Sequence, residues 1–234
     1  MSLPATMLEA RGIVAGYRRG DPVVRGVDLA VPGGRALGLL GPSGCGKSTL
    51  ARVLALLHAP FAGAVAVDGE IATGYRFRAP RALRTRIGVA FQQPRLAVDP
   101  RLRLADIIAE PLRACGRDLS AVPELIDRVG LTPDLLGRRP HEVSDGQLQR
   151  ACVARMFALK PRYLVCDEIT AMLDASTAAL LVGVVRDYCA DTGAGVLAIS
   201  HDPVLLRRWC DDVVAYDDLT NSTSKPSSSL RYPA

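Results

Sequence analysis

Two hydrophobic rhythms alternate along the chain. Short runs rich in Val, Ile and Leu read as strands at 13–15, 27–31, 35–40, 65–67, 87–91, 163–166, 196–199 and 213–215. Longer stretches of mixed apolar and polar residues between them predict helices over 47–58, 104–115, 121–129, 144–159, 175–190 and 202–209. Strands alternating with helices predict an α/β fold with a mainly parallel central sheet. The first three strands have no helix between them, so an antiparallel β piece is expected at the N-terminal end. From 95 to 143 the chain shows helical patterns and Pro/Arg-rich turns but no strong strand. That predicts a helical insertion, set at about 95–150, inside one domain spanning 1–218. Leu219 to Ala234 is rich in Ser, Thr, Asn and Pro, has little to bury, and reads as a disordered tail.

Composition changes this picture little. With 234 residues and 49% apolar content, the chain has the makeup of an ordinary globular domain. Its apolar runs are short and punctuated by Gly, Arg or Asp, too short to span a bilayer. Met1 to Thr6 lacks the basic start and apolar core of a signal peptide. The cysteines at 45, 115, 152, 166, 189 and 210 are scattered without a C-x-x-C pair, and read as reduced cytosolic thiols. The net charge of +5 is mild, and the arginines lack interleaved aromatics, so no nucleic-acid partner is expected.

Candidate chemistry changes the picture far more. Gly41-Pro42-Ser43-Gly44-Cys45-Gly46-Lys47-Ser48-Thr49 follows the apolar run 36–40 and contains the full pattern G-x-x-x-x-G-K-[ST]. Glycines let the backbone wrap with its N–H groups turned inward, and a helix starting at Lys47 adds its positive end. Lys47 would reach the β and γ phosphates of a nucleotide, and Ser48 would ligate Mg²⁺. Arg162 to Glu168 supplies a second half: a buried strand ending in two acids, which is costly unless they have partners or a role. Asp167 fits the Mg²⁺ shell, and Glu168 a base or orienter for the attacking water. The expected fold class is therefore a P-loop NTPase.

With these residues in place, the chain resembles the ATP-binding cassette ATPases, the motor subunits of ABC transporters, over about residues 8–217. Further elements of that family follow in order. The resemblance implies that Tyr17 stacks on adenine and that Gln92 senses Mg²⁺ and the membrane partner. Val143-Ser144-Asp145-Gly146-Gln147 is similar to the signature LSGGQ, so Ser144, Gly146 and Gln147 would contact a nucleotide held by a partner subunit. Ala171-Met172-Leu173-Asp174 resembles the loop that crosses the dimer interface, and His201 the switch histidine at the γ-phosphate. Ser144-x-x-Gln147 is also a capping box. Asp145 replaces a glycine of the pattern; it is expected to point aside, toward Arg150, while Ser144 and Gly146 face the nucleotide.

The resemblance implies an ATPase using ATP and Mg²⁺ at a dimer interface. Its partners would be membrane permease subunits, a second identical or different ATPase, and indirectly a substrate-binding protein. It would sit peripherally on the cytoplasmic face of the inner membrane. The run 91–101 with 105–112 is similar to the peptide, nickel and metallophore importer branch, with Asp99 in place of the usual Asn. The other reading is a soluble ABC-type ATPase acting on nucleic acid or ribosomes. Such proteins usually carry tandem cassettes or long coiled coils, and this chain has neither.

Overall fold

The computed structural model describes residues 6–18 and 20–221. Among them the strands are β1 (Met7–Ala15), β2 (Val24–Pro32), β3 (Ala36–Leu40), β4 (Ala62–Val67), β5 (Glu70–Ile71), β6 (Ile87–Phe91), β7 (Tyr163–Asp167), β8 (Gly195–Ser200) and β9 (Asp212–Ala215). The α-helices are α1 (Lys47–Leu54), α2 (Arg81–Arg84), α3 (Leu104–Ala114), α4 (Val122–Arg128), α5 (Pro133–Leu136), α6 (Asp145–Phe157), α7 (Ala175–Thr192), α8 (Pro203–Trp209) and α9 (Tyr216–Asn221). Two sheets form. An antiparallel sheet runs in the order β2-β1-β4-β5, and a parallel sheet in the order β6-β7-β8-β3-β9. Between β6 and β7 the regular elements are all helical, as the pattern predicts.

The strands of the parallel sheet are apolar on both faces because both faces are covered. Leu37 and Leu39 of β3, Val165 of β7, and Leu197 and Ile199 of β8 join α1 and the antiparallel sheet in one core. Their neighbours Leu164, Cys166, Val196 and Ala198 turn the other way, into a second core with α3, α4, α6, α7 and α8. Alternate side chains on one strand therefore serve different layers. Helix α1 lies between the two sheets, with Leu50, Val53 and Leu54 fully buried. This fixes the residues just before α1, which carry the candidate chemistry.

The structure departs from expectation at several boundaries. β1 begins six residues earlier than the apolar run at 13, with Leu8 and Ala10 buried and Gly12 turning through φ +57°. α1 stops at Leu54 rather than running to 58. Leu56 takes a left-handed φ of +58°, and the Leu57 and His58 amides turn back to the Arg52 carbonyl. The short elements β5, α2 and α5 carry too little periodicity to be read from sequence. Residues 219–221 belong to α9 rather than to a disordered tail, because Tyr216 is buried and Leu219 packs against the core at the start of that stretch. The rest of the expected tail, 222–234, lies outside the described residues.

Because α1 is clamped between two sheets, a hole there has little room to collapse. Leu50→Ala is expected to cost about 2–5 kcal/mol of stability, read as a lower midpoint in urea or heat. A change of under about 0.5 kcal/mol, typical of a surface site, would show that α1 is not part of the cooperative core.

Candidate functional site

The loop from Gly41 to Gly46 joins the end of β3 to the start of α1. Gly44 and Gly46 take left-handed backbone, with φ +82° and +115°. A Cβ on Gly46 would also lie 2.6 Å from the Tyr216 hydroxyl and 3.1 Å from the Val23 carbonyl, so conformation and space both require glycine there. No side chain caps α1, which leaves its first N–H groups facing the loop. Lys47 is 4% exposed. Its ammonium donates to the Gly41 and Pro42 carbonyls, each at 2.7 Å, and lies 4.0 Å from Cys45 Sγ and 3.9 Å from Glu168 Oε1. Pro42 and Ser43 are exposed, and Thr49 is buried.

Asp167, 3% exposed, ends β7 with Phe91 of β6 and Ile199 of β8 as its sheet neighbours. Ser48 Oγ donates to Asp167 Oδ1 at 3.1 Å. Burial pushes the Asp167 carboxyl above the ordinary carboxylate range; Glu168 adds to that, while the Ser48 hydrogen bond, Arg52 and Lys47 oppose it. Glu168 follows in left-handed backbone, φ +50°, held by its N–H to the Ile199 carbonyl at 3.0 Å. Few non-glycine residues adopt this conformation, and those that do cluster at functional sites. The turn sends the Glu168 carboxylate between Lys47 and His201, whose Nδ1 lies 3.5 Å from Oε2. His201 follows the end of β8 and is largely exposed.

Gln92 is exposed and directly follows β6. Tyr17 is 69% exposed; its hydroxyl accepts from Arg52 at 3.0 Å, and its ring tilts against His58. The loop 41–49, Asp167, Glu168, His201 and Gln92 thus sit at the C-terminal ends of β3, β7, β8 and β6, where open α/β sheets bind ligands.

The signature-like residues form a separate group. Ser144 caps α6: its Oγ accepts from Gln147 N at 3.2 Å, and Gln147 Oε1 accepts from Ser144 N at 3.0 Å, the expected capping box. One expectation is corrected here. Asp145 pairs with Arg95 at 2.7 Å, not with Arg150, whose guanidinium reaches the Gly130 carbonyl instead. A Cβ on Gly146 would meet Thr177 Cγ2 at 3.3 Å and Leu173 Cδ2 at 3.6 Å, so the crowding at Gly146 comes from its own chain. Asp174 caps α7, accepting from the amides and hydroxyls of Ser176 and Thr177, which hold its carboxyl well below the usual range.

Sequence reasoning missed four residues that shape these groups. Arg52 stands one helical turn after Ser48, beside Asp167 and over the Phe91 ring at 5.5 Å. Gln149, buried in α6, donates to the Phe91 carbonyl at 3.2 Å. Arg95 pairs with Asp145, and Tyr216 backs the loop glycines. Spacing on a helix gives a signal for Arg52; the other three have none.

A phosphate-binding loop at the C-terminal edge of a parallel sheet, with a strand-end carboxylate beside it, defines a P-loop NTPase fold. The chain belongs to the ABC transporter family, whose sequence profile matches residues 24–171. It is 35% identical over 214 residues to a nickel import ATP-binding protein of Escherichia coli, covering 89% of this chain and 80% of that one. It is 37% identical over 202 residues to a methionine import ATP-binding protein of Caulobacter vibrioides, covering 85% of this chain and 60% of that one. An oligopeptide transport ATP-binding protein of Salmonella typhimurium is 37% identical over 197 residues, covering 82% of this chain and 59% of that one. The chain therefore spans about 60% of the methionine and oligopeptide relatives. Among solved structures, an ATP-binding subunit of an ABC transporter aligns with TM-score 0.76 and 26% identity, covering 90% of this chain and 85% of that one. An ATP-binding cassette solved as a dimer in a post-hydrolysis state, bound to ADP and Pi, shares the fold with TM-score 0.77 at 23% identity, covering 89% and 94%.

The raised Asp167 pKa sets a stability prediction. The folded chain holds this proton more tightly than the unfolded chain does. Stability is therefore lost as pH rises from the ordinary carboxylate value through the higher folded one, and the loss is complete above it. Asp167→Asn keeps the acceptor for Ser48 without the charge. Without Mg²⁺ at neutral pH it should raise the melting temperature, and the gain should vanish in acid. A lower melting temperature at neutral pH would mean that Ser48 and Arg52 outweigh burial.

Proposed function

We propose that the chain is the ATP-binding subunit of an ABC importer, hydrolysing ATP at an interface between two cassettes to drive cargo through a membrane permease. The observation that carries this reading is the meeting of Lys47, Ser48, Asp167, Glu168 and His201 at the ends of three adjacent parallel strands. Lys47 and the amides of 41–49 hold the phosphates, and the exposed Tyr17 ring offers the adenine a stacking face. Ser48 and Asp167 present hard oxygen donors 3.1 Å apart, a pair that fits Mg²⁺ bound together with nucleotide phosphates. With Gln92 they would hold that ion, which neutralises charge on the β and γ phosphates.

Glu168 orients the attacking water and accepts its proton, with Lys47 and His201 flanking its carboxylate. His201, exposed beside it, contacts the γ-phosphate. The cap uses the Gln147 amide, so the Asp145 and Gly146 amides at the start of α6 remain to meet a phosphate held by the second cassette. Gly146 lets this turn pack on Leu173 and Thr177, next to the Asp174 cap. The dimer bound to ADP and Pi among the fold neighbours supports this arrangement.

No helix among the described residues is long and apolar enough to cross a membrane. In this reading the permease holds the chain at the cytoplasmic face of the inner membrane. A groove of about 550 Å³ beside Gln92, lined by Phe91, Ala97, Glu110, Pro111 and Arg155, is the face offered to it. A substrate-binding protein delivers cargo on the far side. The nickel and oligopeptide relatives, with the run 91–112, favour a peptide, nickel or a metal chelate as cargo.

Lys47→Ala is expected to abolish hydrolysis and weaken ATP binding, measured by phosphate release and by a fluorescent ATP analogue. Wild-type turnover in that variant would overturn the phosphate-loop assignment. Glu168→Gln keeps shape and removes the charge. Its turnover should fall at least a hundredfold, about 2.7 kcal/mol in barrier, while ATP binding persists and an ATP-bound dimer accumulates on size exclusion. Unchanged turnover would move the base role to another residue.

A further inference from the structure

Three ties join α6 to the short segment that carries Gln92. Gln149 donates to the Phe91 carbonyl at 3.2 Å, and Arg155 to the Ala97 carbonyl at 2.7 Å. Between them stands Arg95, in the 3-10 turn Pro94–Leu96. Its Nε donates to Asp145 Oδ1 at 2.7 Å, one Nη to the Val143 carbonyl at 2.9 Å, and the other Nη to the Pro140 carbonyl. All three nitrogens of one guanidinium thus serve a single stretch, 140–145, that leads into the Ser144 cap. A planar fork with fixed donors holds such a stretch in position as well as in place.

We infer that Arg95 is a positioning residue, and that Asp145 stands where the signature pattern has glycine because it completes the Arg95 clamp. The clamp makes 91–97 and the first turn of α6 one body, so a displacement at Gln92 reaches Ser144 and Gly146 undiminished. Asp145 is neutralised by a partner in its own chain and turned toward segment 91–97. The signature turn therefore keeps the Asp145 and Gly146 amides for an anion despite the added carboxylate. This rests on the ATPase reading above for its consequence in turnover, but not for the clamp itself.

Two measurements on the full chain test it. Without nucleotide, Arg95→Ala should raise amide hydrogen exchange together in 91–97 and 140–147, and leave 41–52 and 163–168 unchanged. Unchanged exchange in either of the first two segments overturns the clamp. In steady-state kinetics, Arg95→Ala should lower kcat at least tenfold with KM for ATP within about threefold, and Arg95→Lys should recover part of the loss. Asp145→Ala should cost less than tenfold alone and nothing further in the Arg95→Ala background. Losses that multiply, or a kcat within twofold of wild type for Arg95→Ala, overturn the positioning role. If Arg95→Ala does not fold, Arg95→Gln and Asp145→Ala carry the same exchange and cycle measurements. If the wild-type chain hydrolyses no ATP, the ATPase reading fails, while the exchange result still decides whether Arg95 clamps the two segments.

Discussion

A lysine ammonium and two carboxylates share a space almost closed to water, and much of the fold serves to make that tolerable. Burying a charge without compensation costs several kcal/mol. Here each charge has partners: Lys47 has two carbonyls and Glu168, Asp167 has the Ser48 hydroxyl and nearby Arg52, and Glu168 lies between Lys47 and His201. The compensation is incomplete, since the Asp167 carboxyl remains shifted upward by burial.

The backbone is shaped to the same end. Glu168 holds a left-handed conformation that its side chain disfavours, anchored by its amide to Ile199. Gly46 holds one that another residue would resist, with Tyr216 and Val23 filling the space behind it. Glu168 directly follows β7 and Gly46 closes the loop between β3 and α1, two places where regular pairing has stopped and local geometry is set by what packs beneath. The second group, at the starts of α6 and α7, is built differently. Its side chains cap the helix starts, Ser144 taking the Gln147 amide and Asp174 those of Ser176 and Thr177.

Much of the site was legible because its features are local. The phosphate loop is consecutive residues after an apolar run, Asp167 and Glu168 end a recognisable strand, and Ser144 with Gln147 is a cap at fixed spacing. The parallel sheet was legible because strands buried on both faces stay apolar throughout. What escaped depends on chain segments far apart in sequence. Arg150 is nearer to Asp145 in sequence, yet its position on α6 carries it to Gly130, while Arg95 arrives from a turn fifty residues earlier. The crowding of Gly146 by Leu173 and Thr177 brings together the starts of α6 and α7, which no local pattern at Gly146 signals. The early end of α1 turns on the backbone of one residue, Leu56, which no periodicity reveals.

The place of β3 in its sheet has a consequence for how the protein is made. This strand, which leads into the phosphate loop, is synthesised early, but its sheet neighbours are β8 and β9, and Tyr216 helps close the space behind Gly46. On the ribosome β3 must therefore wait, unpaired, until most of the domain has emerged. The loop cannot acquire its final shape before then. Nascent chains lacking the last strands would have the phosphate-loop sequence without a formed loop, so nucleotide would be captured only by finished domains.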